Sequence, residues 1–259
     1  MSSLGIDIGV VIPTRNRYEK TVRAIESVLE QTRPVKQVIV VDDGSDIECQ
    51  IALRKYCEDT KVEYIYREGF GHPGAARNVG VTALGTEYVA FLDSDDKWLP
   101  NKIEIQSKAL ESSRFRALSS NAYRVKKEST THFYPQLKKQ YCFGDLVFKN
   151  WIITSTVIVH RELLLSVGGF PETNTARQAE DYTTWLKIAS VNTWGSVDVP
   201  LAFYEDEIEV SDRLNHSQSD LIGIIEYLDW EQKQSNEKKK LLGLFKRVFK
   251  LGVVLCTRI

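Results

Sequence analysis

Asp93, Asp95 and Asp96 set three carboxylates within four consecutive side chains, in the run FLDSDDKWLP. They follow Tyr88-Val89-Ala90-Phe91-Leu92, an apolar stretch that reads as a buried β-strand. Like charges crowded at the end of such a strand repel one another and resist desolvation. A hard divalent cation, Mg²⁺ or Mn²⁺, makes use of that crowding: it takes oxygen ligands and completes its shell with a substrate's phosphates. Taken alone, the same run also suits acids at the start of the helix expected near Pro100. Asp42-Asp43-Gly44-Ser45, after the apolar residues 38–41, is alone an ordinary turn composition.

The elements around these clusters give them a common location. Residues 8–12, 38–41, 62–66 and 88–92 read as strands. Between them, residues 18–30, 47–57 and 73–83 read as helices, with Val22, Ile25, Val28 and Leu29 on one face of the first and Pro73 suited to the first turn of the third. Repeated βα units imply a mostly parallel sheet with helices on both faces. In such sheets ligands bind beyond the carboxyl ends of the strands. Pro13-Thr14, Asp42-Asp43 and Asp93-Ser94-Asp95 all fall there. Further on, residues 117–125, 154–159 and 197–204 read as strands. Residues 161–167, 180–189 and 217–234 read as helices, the second with the acidic start that suits a helix dipole.

Composition narrows the function classes. The chain has 259 residues, 27% charged, with net charge −1, so no whole-protein field points to nucleic acid. Cys49, Cys57, Cys142 and Cys256 are scattered without metal-ligand spacing, which suits free thiols in a reducing compartment. The N-terminal residues lack the basic region and the apolar length of a signal peptide, and no stretch approaches the roughly 20 apolar residues that cross a bilayer. The expected location is the cytoplasm, at the inner face of the cell membrane. The membrane contact comes from EKKKLLGLFKRVFKLGVVLCTRI, where Leu241, Leu244, Phe245, Val248 and Leu255 share a helical face opposite Lys246, Arg247 and Lys250. This basic amphipathic tail starts at about residue 237, within a C-terminal helical segment 217–259 that follows a main domain at 1–216. Docking of the tail on the main domain or in a dimer is the alternative.

VVIPTRNR, VIVVDDGSD, the GxxGAARNVG stretch from Gly71 to Gly80, EYVAFLDSDDKWLP, Gly168-Gly169-Phe170 and AEDYTTWLKIA together resemble the family 2 glycosyltransferases, over roughly residues 8–216. The resemblance implies a GT-A fold: a Rossmann-like α/β/α sandwich around a mostly parallel sheet. It also implies a nucleotide-diphosphate sugar donor of the UDP-sugar class, cell-surface polysaccharide biosynthesis, a saccharide or lipid-linked acceptor, Mn²⁺ or Mg²⁺ as cofactor, and inversion at the anomeric carbon. Pro13, Thr14 and Arg15 then line the nucleoside pocket. Asp43 accepts from the base while Asp42 shapes the turn, and Arg77 reaches base and phosphates. Asp93, with Ser94, serves ribose and metal; Asp95 and His216 serve the metal. Asp181 is the general base. Trp98, beside the acids, is a candidate to line the sugar site, while Trp151, Trp185 and Trp194 read as packing residues.

Two competing readings have definite signatures. Gly69-Phe70-Gly71-His72-Pro73-Gly74 spells the GxGxxG of dinucleotide-binding proteins, with Asp93 about 20 residues on, which would make the chain an NAD-dependent oxidoreductase. Against it, the preceding strand is polar and third in order, and Glu68 would stand beside the pyrophosphate. The other alternative is a non-catalytic sugar-nucleotide-binding module, against which the intact acids argue.

Overall fold

The computed structural model describes residues 5–69, 71–127, 129–206 and 216–234, without the side chains of 216 and 217. The basic tail from about 237 lies outside the described residues, as does the side chain of His216. The chain opens with β1 (Ile8–Thr14), α1 (Tyr18–Leu29), β2 (Gln37–Asp43), α2 (Ile47–Thr60), β3 (Glu63–Arg67), α3 (Pro73–Ala83) and β4 (Tyr88–Phe91). The strands lie in the order β3-β2-β1-β4, all parallel. Every residue of β1 and β4 is buried, which is why both read as unbroken apolar runs rather than alternating ones. Local signals fix the helix ends. The Asp46 carboxylate accepts the Cys49 N–H at 2.9 Å, and Lys61 closes α2 in the left-handed region at φ 58°.

The second half adds β5 (Lys97–Trp98), α4 (Lys102–Glu111), β6 (Ala117–Lys126), β7 (Ser129–His132), β8 (Gln140–Tyr141) and α5 (Phe143–Phe148). After a 3₁₀ turn at Thr154–Thr156 come β9 (Ile158–His160), α6 (Arg161–Ser166), α7 (Glu180–Val191), β10 (Trp194–Glu205) and α8 (His216–Gln234). The sheet continues from β4 through β9, β6 and β10 to β5. β9 runs against β4 and β6, while β10 is parallel to β6. The result is an α/β fold around one central sheet, most of whose strands share a direction.

The structure departs from the sequence reading in a few places, each with a local cause. Residues 154–159, read as one strand, split into the 3₁₀ turn and β9, because Thr156 Oγ1 turns back to the Ile153 carbonyl at 2.8 Å and the turn's other hydroxyls serve distant acids. The strand at 197–204 is longer, Trp194–Glu205, and its pairing with β6 shifts register around Pro200, which has no N–H to give the ladder. β5, β7, β8 and α5 have no counterpart in the sequence reading; segments of two to six residues carry too few periods to reveal one.

One aromatic cluster sets the position of α7. Trp185, fully buried, meets Phe91 at the end of β4, Phe170 in the Gly-Gly-Phe turn and Trp194 in β10, at centroid distances of 6.2, 5.6 and 5.3 Å. Truncating a buried side chain of that size costs roughly 3–5 kcal/mol. The helix whose first turn carries Glu180 and Asp181 is therefore anchored beneath the carboxyl end of β4.

Candidate active site

The carboxyl ends of β1, β2 and β4 open onto a cleft of about 370 Å³. Pro13, Thr14, Arg15, Asp43, Arg77, Asp93, Ser94 and Asp95, all singled out in the sequence, line it. Thr14 is fixed by a 2.6 Å hydroxyl contact with Thr21 of α1.

Asp42 and Asp43 end β2 and divide their work. Asp42 is fully buried and accepts from the Tyr64 hydroxyl at 2.8 Å and from the Ser45 N–H at 2.9 Å, so it builds the turn. Asp43 borders the cleft, where it accepts from Arg67 and from the His72 N–H. Its carboxylate has lone pairs left for a further donor. Gly44, at φ +83°, lies against the Gly69 carbonyl, and a side chain at Gly69 would collide with Asp43. The absent side chain of Gly69, the first glycine of GxGxxG, thus leaves room for the Asp43 carboxylate. The motif follows β3, the edge strand, and its last glycine packs on Glu180, so the dinucleotide reading has no place in this geometry.

The acids after β4 are not equivalent. Asp93 pairs with Arg77 at 2.6 Å and Asp95 with Arg17 at 2.6 Å, their side chains 28% and 22% exposed. Asp96 is buried, accepting from the Ser155 hydroxyl and from the Glu205 N–H. Burial, with Asp93 and Asp95 close by, raises its pKa well above the usual carboxylate range. Among the described residues no three His, Cys, Asp or Glu side chains converge to hold a metal by themselves. Two partly open carboxylates still fit Mg²⁺ or Mn²⁺, which bind through one or two carboxylates plus substrate phosphates rather than a protein cage.

Arg77 lines the cleft, where the resemblance puts its fork at base and phosphates; here the guanidinium is buried and both amino groups are engaged by acids, Asp93 at 2.6 Å and Glu180 at 3.0 Å. A buried cation without counter-charges is too costly to leave unpaired. Phe170 lies under it, 5.3 Å from the ring centroid. One cation here faces Asp93, Glu180 and the nearby Asp181. The excess negative charge is relieved on Glu180, whose pKa rises to about 7 through burial and then the Asp181 charge, against the pull of Arg77. The same acids hold Arg77 firmly protonated.

Asp181 stands in the first turn of α7, half-buried, and its Oδ2 accepts from the Thr154 hydroxyl at 2.9 Å. Trp98 does not line the cleft. It is 1% exposed, donates its indole N–H to the Ser155 carbonyl at 2.7 Å and carries the Lys102 amine on its face. Its strand, β5, pairs with β10, Trp98 lying opposite Ala202. Sequence reasoning missed Arg17, Arg177, Tyr204 and Glu205, which also line the cleft. Arg17, in TRNR at the end of β1, was findable from position. Arg177 sits in a stretch without diagnostic composition, and only the fold brings its Nε to the Gly71 carbonyl at 2.9 Å.

Comparison with known proteins gives the family and the fold. Residues 9–168 match the family profile described as Glycosyl transferase family 2. An uncharacterized glycosyltransferase of Rickettsia bellii is 33% identical over 200 residues, covering 75% of this chain and 28% of that protein. The chain therefore spans less than a third of that relative's length. A 26% identical Escherichia coli protein, covered over 73% of its length by 74% of this chain, is the UDP-Glc:alpha-D-GlcNAc-diphosphoundecaprenol beta-1,3-glucosyltransferase WfgD. Among solved structures, S. aureus TarS in complex with UDP superposes with a TM-score of 0.67 at 20% identity, over 85% of this chain and 65% of that one. That likeness establishes the GT-A fold.

Proposed function

The chain belongs to glycosyltransferase family 2, and from that premise we propose that it transfers a sugar from a UDP-sugar to a saccharide or lipid-linked acceptor, with inversion, in cell-surface polysaccharide synthesis. The observation that carries this reading is the convergence of Asp43, Asp93 and Asp95 on one cleft at the carboxyl ends of the parallel strands. The E. coli relative's UDP-Glc donor and diphosphoundecaprenol-linked acceptor, and the UDP held by the solved neighbour, support the choice of donor and acceptor class.

In this reading Pro13, Thr14 and Arg15 line the nucleoside end of the cleft. Asp43, held rigid by Arg67 and the His72 N–H, accepts from the base. Asp93 and Asp95 hold the Mn²⁺ or Mg²⁺, which when bound supplies Lewis-acid stabilisation of the departing diphosphate. Ser94 and Asp93 serve the ribose, and His216 is assigned to the metal from the sequence alone. Arg17, now paired with Asp95, is placed to exchange its carboxylate for a phosphate oxygen. On the acceptor side Asp181 takes the proton from the attacking hydroxyl. A single displacement through an oxocarbenium-like transition state inverts the anomeric carbon. Arg77 organises the acids instead of presenting a free fork.

Calorimetry with a panel of UDP-sugars, with and without Mn²⁺, tests the reading. Uptake of at least one donor that needs the metal is expected. Failure of every donor to bind with manganese present would remove the assignment, and donor binding without transfer would reduce the chain to a sugar-nucleotide-binding module.

A further inference from the structure

The reaction needs two groups of acids at a fixed separation: Asp93 and Asp95 after β4 for the diphosphate, and Asp181 at the start of α7 for the acceptor. They lie on different elements, nearly ninety residues apart in the chain. Two buried connections join them. Arg77 of α3 spans from Asp93 to Glu180, the residue before the base, at 2.6 and 3.0 Å. Gly74, one turn earlier, lets α3 approach this closely, since a Cβ there would stand 2.8 Å from Glu180 Cγ. The second connection is the 3₁₀ turn. Thr154 donates its hydroxyl to Asp181 Oδ2 at 2.9 Å, while the next residue, Ser155, accepts the Asp93 N–H at 3.0 Å and donates to Asp96. Ser155 is 1% exposed, and the indole of Trp98 fixes its carbonyl at 2.7 Å.

Resting on the transfer reading above, we propose that Arg77–Glu180 and Thr154–Ser155 are paired braces that set the position of the base relative to the donor acids. Thr154 and Glu180 are then positioning residues for the transfer. Both connections run from the acid loop to the first turn of α7, one on each of two consecutive acidic residues. The Thr154 hydroxyl on Oδ2 and the Tyr182 N–H on Oδ1, at 2.9 and 2.7 Å, orient the Asp181 carboxylate and leave it lone pairs for the acceptor proton. Among the described residues, Arg77, Glu180 and Tyr134 are charged or titratable groups that interact with Asp181.

The test uses the full chain with Mn²⁺ and the UDP-sugar that binds best in the calorimetric panel. Turnover is followed as UDP release, water standing in for the acceptor hydroxyl. Thr154→Val, isosteric but without the donor, is expected to lower kcat on the order of 10- to 100-fold with donor Kd within about twofold. It also shifts the acid limb of the kcat–pH profile upward, because an ionised Asp181 loses a hydrogen bond. Thr154→Ser restores both. Glu180→Gln, which keeps an acceptor for Arg77, loses less kcat than Glu180→Leu. Wild-type kcat and pH profile in Thr154→Val, or a loss confined to donor Kd, overturns the braces. If the wild-type protein takes up no UDP-sugar, the transfer reading fails instead, and the braces are judged by melting temperature. Shifts for Thr154→Val and Asp181→Asn that simply add in the double variant refute them; non-additive shifts support them.

Discussion

Glu180 and Asp181 are neighbours of the same charge type with different surroundings, and that difference separates their roles. Asp181 is open enough to meet an acceptor and holds one hydroxyl donor. Asp181→Asn should therefore keep donor affinity and lose roughly 10²- to 10⁴-fold in turnover, the usual contribution of a general base; full activity in that variant would take Asp181 out of the role. Asp95→Ala should instead abolish the stimulation of donor binding by Mn²⁺, read by calorimetry. Glu180 is sealed in, and its raised pKa has a thermodynamic sign. Unfolded, it ionises near its ordinary 4.5; folded, it keeps its proton to about 7. Between those values the folded chain binds more protons, so stability falls as pH rises through the window. Asp96, raised by burial, acts in the same sense. Urea midpoints measured from about pH 5 to about pH 7 should thus decline in the wild type and decline less steeply in Glu180→Gln. An unchanged slope would show that Glu180 is ionised throughout.

Among the elements, α3 does most to bring the two ends of the site together, although its sequence suggests a poor helix. It contains Pro73, Gly74 and Gly80, and each has a use. Pro73 opens the helix, capped by His72, whose Nδ1 accepts the Ala75 N–H at 3.3 Å. Gly80 lies against Val11 of β1 and Gly74 against Glu180. Asn78 clamps the Gly169-Phe170 turn through the Phe170 N–H and carbonyl, each at 2.9 Å. Gly74→Ala sets two effects against each other. In an open helix it would stabilise by roughly 0.5–1 kcal/mol; here the new methyl overpacks Glu180 and the Pro171 carbonyl, a cost of roughly 1–3 kcal/mol. The cost wins, so a lower urea midpoint is expected and a higher one would contradict the packing. The βα alternation was legible because β1, β2 and β4 are buried on both faces and leave long apolar runs. The acids at their ends were legible from the same runs. Arg77's partners, the 3₁₀ turn and Arg177 were not. Their roles depend on contacts between residues 16 to 106 positions apart, and no local pattern records such a meeting.

For the whole molecule, the sheet gathers the polar clusters of the cleft at one edge. Among the described residues no helix is long and apolar enough to cross a membrane. α8, the last described helix, packs on α7, and its Tyr227 also meets Phe143 of α5 at 4.9 Å. In the sequence Lys238, Lys239 and Lys240 follow, then Lys246, Arg247 and Lys250 interspersed with Leu241, Leu244, Phe245 and Val248. Each basic residue near an anionic leaflet contributes about 1 kcal/mol, and the apolar face adds burial in the interface. We propose that this segment holds the cleft near a lipid-linked acceptor. The full chain should co-sediment with anionic vesicles, less so as salt rises from about 0.05 to about 0.5 M, since the Debye length shrinks several-fold over that range. Neutral vesicles should bind it more weakly. Deletion from Lys238 onward should remove co-sedimentation while leaving UDP-sugar uptake intact, because no residue assigned to the cleft lies beyond 216. Equal vesicle binding by the truncated chain would reject the anchor and return the tail to a protein-docking role, whereas loss of donor uptake on truncation would mean that the tail completes the site itself.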